Sequence, residues 1–458
     1  MEYILLAVFV LGYLGIALEH NIKIDKAASA LLTGTVLWGL FVLGYHEVPP
    51  HLTDMFAEFV AGSHGGHASI SAFYEHRLMH HMQEISSILF FLLGAMTIVE
   101  LVDAHEGFRV ITDKINTSSK IKLMWIICIL TFFFSAVLDN LTTSIVMISL
   151  LRKLVDDKES RWLFAGMVVI SANAGGAWSP IGDVTTTMLW IGGQLSTSVI
   201  MVNLILPSLV AMLVPLAILS FRLKGTVSRP VYHNEPGSEP TTKFERNIVF
   251  IAGIGGLLFV PVFKTATHLP PFMGMMLSLG ALWMLTERLH HAKNVEHKSS
   301  LSVIGVLRKV DTASVLFFLG ILLAVAALQE AGHLVLAATY LREALNDVYL
   351  IDLAIGVLSA IVDNVPLVAA SMGMYEVVQP DMVTDSWSEA FTKDGAFWQF
   401  LAYCAGTGGS ALIIGSAAGV AVMGLEKIDF VWYLKKISLL ALAGYFAGAG
   451  VYLLMFAL

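Results

Sequence analysis

The stretch FFFSAVLDNLTTSIVMISLL, residues 132–151, sets the acidic dipeptide Asp139-Asn140 in the middle of an apolar segment. The stretch IGVLSAIVDNVPLVAASMGM, residues 355–374, repeats the arrangement around a second Asp-Asn pair. An ionisable group at membrane depth costs about 2.5–3.5 kcal/mol on insertion scales, so such groups usually have a function. Two of them in matching surroundings, one in each half of the chain, predict an internally repeated transporter with a cation site near the bilayer midplane.

Composition places the chain in the membrane. Of its 458 residues, 57% are hydrophobic and only 14% are charged, and the mean hydropathy is +0.76. A soluble protein would carry about a quarter charged residues. The apolar runs are continuous rather than alternating, which predicts an all-α polytopic membrane protein and excludes a barrel. Cys128 and Cys404 both fall inside apolar runs, so we expect neither a disulfide nor a metal cluster. We expect the lipid bilayer as a partner, no nucleic acid and no cofactor.

Ten apolar runs are predicted as spanning helices, and two more segments, 123–155 and 348–378, break at their Asp-Asn pairs. We interpret these two as re-entrant hairpins, which enter and leave the membrane on the same side. The predicted spans are 2–19, 27–44, 85–102, 161–190, 204–222, 247–265, 271–287, 313–331, 396–425 and 437–456.

The basic residues support this topology. With two hairpins, 23 of the 27 Lys and Arg residues fall on one side of the membrane, and the other side keeps Arg77, Lys264, Arg342 and Lys393. Cytoplasmic loops carry such an excess of Lys and Arg. The sequence therefore predicts that both termini lie outside the cytoplasm.

The topology contains two inverted repeats, residues 1–222 and 247–458, joined by a cytoplasmic linker at 223–246. Each repeat has five spanning helices and one hairpin. NAGGAWSPIG (173–182) resembles GTGGSALIIG (406–415) at a constant offset of 233. The hairpin sequences match as well, since Ser135–Asn140 reads SAVLDN and Ser359–Asn364 reads SAIVDN. The polar stretches 45–84, 223–246 and 289–311 are predicted as connections.

The segment SANAGGAWSPIGDVTTT (171–187) predicts a helix that breaks at membrane depth. Non-helical backbone survives there only where it is buried in protein or lines a watery cavity. Its carbonyls then become hard oxygen ligands, which suit Na⁺ or Li⁺ better than transition metals. Side chains of the first break add further oxygens, and the second repeat has hydroxyls at comparable places, with Ser416 where the first repeat has Asp183. These residues are Asn173, Ser179, Asp183 and Thr185, then Thr407, Ser410 and Ser416.

The candidate ion-binding and transport residues combine both hairpin tips with both breaks, and a subset is expected to bind Na⁺. An Asp-Asn pair also caps a half-helix, but capping alone does not require a charge. Glu100 is either a proton relay or an interfacial anchor. The His-rich stretch 45–84 is either a solvated loop or a metal or pH sensor using His76 and His80. The candidates are Asp139, Asn140, Thr142, Asn173, Ser179, Asp183, Thr185, Asp363, Asn364, Thr407, Ser410 and Ser416, with Na⁺ expected at Asp139, Asn173, Asp183, Asp363 and Asn364.

The Asp-Asn hairpins, the NAGG…SPIGDVTTT segment and the symmetric layout together resemble the ion transporter superfamily, and within it the NhaD-type Na⁺/H⁺ antiporters. The resemblance covers essentially the whole chain and is most specific from Ser135 to Thr187. It implies a homodimer held by scaffold helices 1–44 and 247–287. It also implies mobile transport elements at 85–222 and 313–458.

The sequence and the resemblance together predict a secondary transporter, not an enzyme. It would exchange cytoplasmic Na⁺ or Li⁺ for external H⁺ by alternating access across a bacterial inner membrane, with carboxylates that bind either ion. The alternative is a Na⁺-coupled dicarboxylate or oxyanion transporter. Dicarboxylate carriers of the superfamily have Ser-Asn-Thr motifs at their hairpin tips, whereas this chain has Asp-Asn-Leu-Thr-Thr and Asp-Asn-Val-Pro. Acids at these positions would repel an anionic substrate.

Overall fold

Helices make up nearly all the regular structure of the protein. The computed structural model describes residues 2–17, 19–62, 69–112, 115–228, 241–291 and 301–457. In these ranges, backbone pairing outside the helices includes two isolated bridges, Ser119–Thr226 and Val378–Thr392, and two short 3-10 turns are present at Pro50–Leu52 and Pro380–Met382. The helices are α1 Glu2–Ala17, α2 Glu19–Ile22, α3 Lys26–Gly44, α4 Thr53–Gly62, α5 Ile70–Ala104, α6 Arg109–Thr112, α7 Lys120–Leu138, α8 Asn140–Leu154, α9 Lys158–Ala177, α10 Val184–Ile191, α11 Thr197–Arg222, α12 Lys243–Thr267, α13 Pro271–Leu289, α14 Val303–Leu307, α15 Thr312–Glu330, α16 His333–Leu345, α17 Val348–Leu358, α18 Asn364–Met374, α19 Ser386–Ala390, α20 Ala396–Gly408, α21 Ala417–Glu426, α22 Phe430–Lys436 and α23 Ser438–Phe456.

Seven of the described helices are long and apolar enough to cross a membrane, which confirms the all-α polytopic class. They are α3, α5, α7, α11, α12, α15 and α23. The two predicted broken helices are also interrupted, because α9 ends at Ala177 and α10 begins at Val184, whereas α20 ends at Gly408 and α21 begins at Ala417.

Helix α5 differs from the prediction of a span at 85–102 preceded by a polar connection. It has 35 residues and is therefore about 52 Å long. Its first turns place Phe73 and Tyr74 in a buried cluster with Trp38 and Phe41, and both are only 1% exposed. The stretch 45–84 is thus largely helical because its polar residues share a helix with an apolar face. His64 and His67 lie outside the described residues.

The other predicted connections also differ in part. Within 289–311 the structure contains the short helix α14, and residues 292–300 lie outside the described ranges. In the predicted linker 223–246, residues 229–240 lie outside them as well. Thr242 closes this linker with a capping box, since its hydroxyl accepts from the backbone N–H of Glu245 at 3.3 Å and Glu245 accepts from the N–H of Thr242 at 2.7 Å.

Packing divides the chain into two compact units. The first comprises Met1–Phe90, Asp311–Asp347 and Val365–Val377. In it, α3 packs closely along α15, and the indole N–H of Trp38 donates to the carbonyl of Leu323 at 3.0 Å. The first unit combines the predicted scaffold helices α1 and α3 with α15, α16 and residues 365–377, which include most of α18 of the second hairpin segment. The division into scaffold and transport elements therefore stays a prediction.

The second unit comprises Phe91–Val310, Val348–Asn364 and Val378–Leu458. It contains helices α7 and α8, which form a hairpin whose two ends lie side by side. At one end, the backbone N–H of Lys120 donates to the carbonyl of Gly225 at 3.2 Å. At the other end, the backbone N–H of Asp156 donates to the carbonyl of Ser228 at 3.0 Å. Residues 225–228 pair with both ends of the hairpin. The start of α7 and the end of α8 therefore lie next to each other, and the chain reverses direction at the tip between them.

Buried Glu426 holds the base of this hairpin. Its carboxylate accepts from the Nε of Arg152 at 2.7 Å and from the Nε of Arg161 at 2.6 Å, and its side chain is 1% exposed. Arg152 also donates to the carbonyl of Leu425. Two guanidinium groups compensate the desolvation of one carboxylate, which is the condition for a buried ion pair to be tolerated. The end of α21 is thereby tied to α8 and α9.

In the second hairpin segment, which comprises α17 and α18, the start of α17 and the residue Val378 that follows α18 both lie near the start of α20, within the second unit. The N–H of Val378 donates to the carbonyl of Phe391 at 3.0 Å, just before α20. At the other end, the ring of Tyr349 packs against Phe400 in the first turns of α20, with 5.7 Å between centroids.

Equivalent hydrogen bonds recur in the two halves of the second unit. The hydroxyl of Ser135 on α7 donates to the carbonyl of Ala172 on α9 at 2.6 Å. The hydroxyl of Ser359 after α17 donates to the carbonyl of Ala405 on α20 at 3.0 Å. The serines are 224 residues apart and the carbonyls 233 apart, the second being the offset found between the Gly-rich segments. These matched contacts support an internal repeat.

Glycines permit the close approach of hairpin and broken helix in both halves. A Cβ on Gly175 would meet the backbone of Phe132, and a Cβ on Gly408 would meet the backbone of Gly356. Backbone atoms cannot move aside as a flexible side chain can. Only a residue without a side chain therefore fits at these crossings.

We expect Gly175→Ala and Gly408→Ala each to lower the melting temperature by about 5 °C or more, because the methyl group forces backbone apart. Gly450→Ala is the matched control, since its added Cβ meets no atom within 4 Å apart from the neighbouring backbone of its own helix, and alanine favours the helix. Tryptophan fluorescence on heating the detergent-purified protein measures all three. A drop of the same size in Gly450→Ala would contradict the explanation.

Candidate ion-binding site

Asp139 forms the tip of the first hairpin, between α7 and α8. Its backbone has φ 78°, a left-handed value that short polar side chains such as Asp tolerate better than most. One carboxylate oxygen accepts from the backbone N–H of Thr142 at 2.7 Å and the other from its hydroxyl at 2.8 Å. The side chain stays partly exposed. Asp139 therefore caps α8 and places its carboxylate at the tip.

Asn140 connects the tip to the first broken helix. Its side-chain amide donates to Asp183 Oδ2 at 2.8 Å and to Asn173 Oδ1 at 3.1 Å. All three residues are buried, with at most 5% of each exposed. Because a buried polar group is costly unless it is hydrogen bonded, this contact fixes the tip against α9 and the break that follows it.

Asp183 lies in the break between α9 and α10 and is the N-cap of α10. Its Oδ1 accepts from the backbone N–H of Thr185 at 3.0 Å and from the Thr185 hydroxyl at 2.9 Å. Its Oδ2 accepts from Asn140. One oxygen of the carboxylate is thus used for the helix cap, and the other faces the neighbouring amides.

Two hydroxyls hold the unwound segment in place. Thr186 Oγ1 donates within the break, where it lies 2.8 Å from the carbonyl of Ser179 and 2.9 Å from that of Asp183. Ser179 Oγ donates to the carbonyl of Ala136 on α7 at 2.5 Å. Ser179, a candidate ligand, therefore has a hydroxyl that binds the hairpin backbone, and the break and the hairpin form one bonded body.

Asn173 links the first break to the second. Its amide nitrogen donates to Ser410 Oγ at 3.0 Å and to Ser416 Oγ at 2.9 Å. Ser416 is the N-cap of α21 and accepts from the backbone N–H of Gly419 at 3.2 Å. Ser416 thus does for α21 what Asp183 does for α10, without a charge. The two Gly-rich breaks meet at Asn173, which is fully buried.

The tip of the second hairpin brings a third acid near this network. Asp183 lies within electrostatic range of both Asp139 and Asp363. Asp363 is partly exposed, like Asp139. Asn364 is buried, and its side-chain nitrogen has no hydrogen-bond partner among the described residues. The structure therefore places three carboxylates around one set of broken helices.

Two predicted residues have side chains that are not hydrogen bonded to this network among the described residues. The hydroxyl of Thr407 donates to the carbonyl of Tyr403 in its own helix at 2.6 Å. Glu100 lies one turn before the end of α5, where its charge interacts with Asp103 and Lys309. Among the described residues, no hydrogen bond joins Glu100 to the three acids.

Sequence reasoning missed three residues of these elements. Ser135 and Ser359 bind the hairpins to the broken helices, and their place in the repeated SAVLDN and SAIVDN motifs was an available signal. Asp352 on α17 is fully buried. An acid inside the apolar run VYLIDLAIGV was visible in the sequence and was not singled out as a candidate. At the spacing of 224 residues that separates Ser135 from Ser359, the position that corresponds to Asp352 is Cys128.

The donor atoms of the site are oxygens of carboxylates, amides and backbone carbonyls. Such oxygens bind protons and hard cations and are poor ligands for soft metals. Helix N-termini at Asp139 and Asp183 also stabilise the ionised carboxylates. The arrangement can therefore hold a negative charge in a buried place and neutralise it with either a proton or a small cation.

Comparison with known proteins agrees with this chemistry. Residues 7–392 match the CitMHS family, described as citrate transporter. The chain is 47% identical over 445 residues to "Sodium/proton antiporter 1" of Arabidopsis thaliana, covering 97% of this chain and 71% of that protein. It is 44% identical to "Sodium/proton antiporter 2" of the same plant, with 97% of each chain covered. It is 30% identical to "Na(+)/H(+) antiporter NhaD" of Vibrio cholerae over 484 residues, which cover 99% and 91% of the two chains. The resemblance to NhaD-type antiporters is confirmed, and the chain belongs to the citrate transporter (CitMHS) family.

Proposed function

We propose that the protein exchanges Na⁺, or Li⁺, for H⁺ as a secondary transporter. The observation that carries the proposal is the buried carboxylate of Asp183, hydrogen bonded to Asn140 and within electrostatic range of Asp139 and Asp363. Three acids near one another repel when all are ionised, so neutralising one by a proton or a cation is favourable. The similar proteins named sodium/proton antiporters support the same ion pair.

Competition for the same oxygens explains the coupling. A carboxylate that holds a proton has lost its charge and binds Na⁺ poorly, whereas an ionised one binds it well. If the site crosses the membrane loaded with either ion but not empty, exchange follows from the two binding equilibria. Our proposal assigns Na⁺ to oxygens of Asp139, Asn173, Asp183, Asp363 and Asn364.

Everted membrane vesicles from an antiporter-deficient strain test this function. After respiration acidifies the vesicle interior, added NaCl or LiCl should dissipate the pH gradient in vesicles with the protein and leave it intact in vesicles without it. Fluorescence of a pH-sensitive dye reports the change. Failure of both salts at every pH from about 7 to 10 would refute the proposal.

A Na⁺-coupled carrier of dicarboxylates or oxyanions is the second candidate, because the matching family is described as citrate transporter. The acids of the site disfavour it, since a carboxylate substrate would approach Asp139 and Asp363 with the same charge. Uptake of labelled citrate or succinate into proteoliposomes, driven by an inward Na⁺ gradient, distinguishes the two. Uptake without Na⁺/H⁺ exchange would establish the carrier instead.

We further propose that the two hairpins enter the membrane from opposite sides and that both termini lie outside the cytoplasm. The distribution of Lys and Arg supports this orientation. The first hairpin, α17 and the broken helices would then move together, with the hydrogen bonds of Ser135 and Ser359 joining α7 to α9 and the end of α17 to α20. The bacterial inner membrane is our proposed location, and similar proteins are found in a plant as well as in bacteria.

Impermeant thiol labelling of intact cells tests the orientation. Lys158 lies at the base of the first hairpin and Thr384 beyond the second, and both side chains are exposed. Thr384→Cys should react and Lys158→Cys should not, until the membrane is permeabilised. Cys128 and Cys404 are fully buried, so the unmodified chain serves as the background. The reverse pattern would overturn the proposed topology.

We also propose that the protein is a homodimer held by scaffold helices. Helix α12 supports this, because only 22% of its most apolar stretch is buried within the chain. Its apolar residues Ile251 and Phe244 are 69% and 66% exposed. Native mass spectrometry from detergent measures the assembly directly. If only monomers are found at all protein concentrations, the proposed dimer is wrong, and the apolar face of α12 contacts lipid instead.

A further inference from the structure

A cluster of metal-ligating side chains lies on the first half of α5, within the first packing unit. His80, His81 and Glu84 each offer one donor atom, and these atoms all lie within 4.8 Å of one another. His80 and Glu84 are exposed and stand four residues apart, so they share one face of the helix. His81 beside them is buried. The cluster is therefore open to solvent on one side and anchored in protein on the other.

The buried histidine is oriented by a carboxylate. His81 Nε2 lies 2.7 Å from Glu330 Oε1, and Arg77 donates to the same oxygen at 2.6 Å. Glu330 is 1% exposed. An ionised carboxylate can only accept, so Nε2 donates to it, and in the neutral form of the ring the other nitrogen, Nδ1, keeps the lone pair that a metal needs. Histidines that ligate metals are commonly held in this way, because the outer carboxylate fixes the tautomer and raises the basicity of the ring.

We propose that His80, His81 and Glu84 bind a divalent transition-metal ion of the zinc type. Two imidazole nitrogens and one carboxylate oxygen form a common three-ligand set for Zn²⁺, which completes its coordination with water. The mixed nitrogen and oxygen set disfavours Mg²⁺ and Ca²⁺, which prefer oxygen ligands. The chemistry of this site thus differs from that of the all-oxygen site for the transported cation.

The sequence points to a different pair, His76 and His80, at a spacing of four residues. In the structure, the partners of His80 are His81 and Glu84 and not His76. Among the described residues, only these two have donor atoms grouped with that of His80. His76 instead packs its ring against Phe59, with 5.3 Å between centroids. This difference provides a matched control on the same helix.

Metal binding to the full-length, detergent-purified protein tests the proposal. A preparation without a polyhistidine tag is stripped with a chelator and titrated with Zn²⁺ against a chromophoric competitor, and Co²⁺ absorption in the visible range reports nitrogen ligation. We expect one Zn²⁺ per chain. His80→Ala and Glu84→Gln should each weaken binding at least about tenfold, and His76→Ala should leave it unchanged.

Glu330→Gln tests the outer carboxylate and should weaken binding about 10–100-fold without changing the number of ions bound. Because both His80 and Glu84 are exposed, their variants should keep the melting temperature of the unmodified protein without metal. Equal binding by the unmodified protein and by His80→Ala/Glu84→Gln would overturn the proposal. Loss of binding in His76→Ala as large as in His80→Ala would overturn it as well, because the site would then be the pair one turn earlier.

Discussion

Asp183→Ser is expected to lower Na⁺-dependent exchange about 100-fold, whereas Ser416→Ala lowers it less than about fivefold, although both residues cap the second half of a broken helix. Asp183 caps α10 with one oxygen and accepts from Asn140 with the other. Serine keeps the cap and loses the charge. In Ser416→Ala only a neutral hydroxyl is lost, with its bonds to Gly419 and Asn173.

Exchange rates of both variants in everted vesicles, at equal amounts of inserted protein, measure the difference. Asp183→Ser leaves the buried amide of Asn140 with one fewer acceptor, so its melting temperature should be recorded alongside. Addition of Asn140→Ala to Asp183→Ser removes that stranded donor and should recover stability without recovering exchange. Recovery of exchange in the double variant would show that the charge of Asp183 is dispensable.

The second large effect is expected at the hairpin tips. Asp139→Asn and Asp363→Asn should each reduce exchange to near background, because each removes a carboxylate that can hold either ion. Asparagine is almost the same size and is an equally good N-cap. In Asp139→Asn, the amide oxygen can still accept from the N–H of Thr142, and the Thr142 hydroxyl can rotate to accept instead of donating.

Asp429→Asn is the matched control for these variants. Asp429 is the N-cap of α22 and accepts from the N–H of Trp432 at 2.8 Å, but this contact is exposed and far along the chain from both hairpins. Its variant should exchange normally. If Asp139→Asn and Asp363→Asn also exchange at the unmodified rate, the ion is bound elsewhere, and the acids at the tips are structural caps.

The positions of most membrane-spanning helices follow from the local composition of the sequence. Apolar runs of sufficient length, with Lys and Arg at their ends, identify helices whatever their partners are. The prediction failed where helix and burial depend on a distant segment. The first turns of α5 carry Arg77 and His81, which read as a polar connection in the sequence. His81 is buried and Arg77 partly buried in this helix because Glu330, some 250 positions later, hydrogen bonds both side chains.

The candidate site shows the same division. The repeated Asp-Asn pairs and Gly-rich segments identified Asp139, Asp183 and Asp363 as important, because charge and unwound backbone at membrane depth require a function. The contacts between these side chains could not be predicted from the sequence. Asn173 donates to Ser410 and Ser416, more than 230 residues away, whereas Thr407 in the same predicted set bonds to its own helix.

The class of helical membrane protein and the positions of two helix breaks could be predicted from the sequence alone, and the two acidic hairpins and the inverted repeat stay predictions. Helix length, breaks and charge placement are properties of short segments in a bilayer. The hydrogen-bonded network of Asn140, Asn173 and Asp183 and the cluster of His80, His81 and Glu84 could be identified only in the folded structure. Those contacts depend on how helices rotate and cross, which is set by packing at glycines such as Gly175 and Gly408 and by hydrogen bonds between residues far apart in the chain.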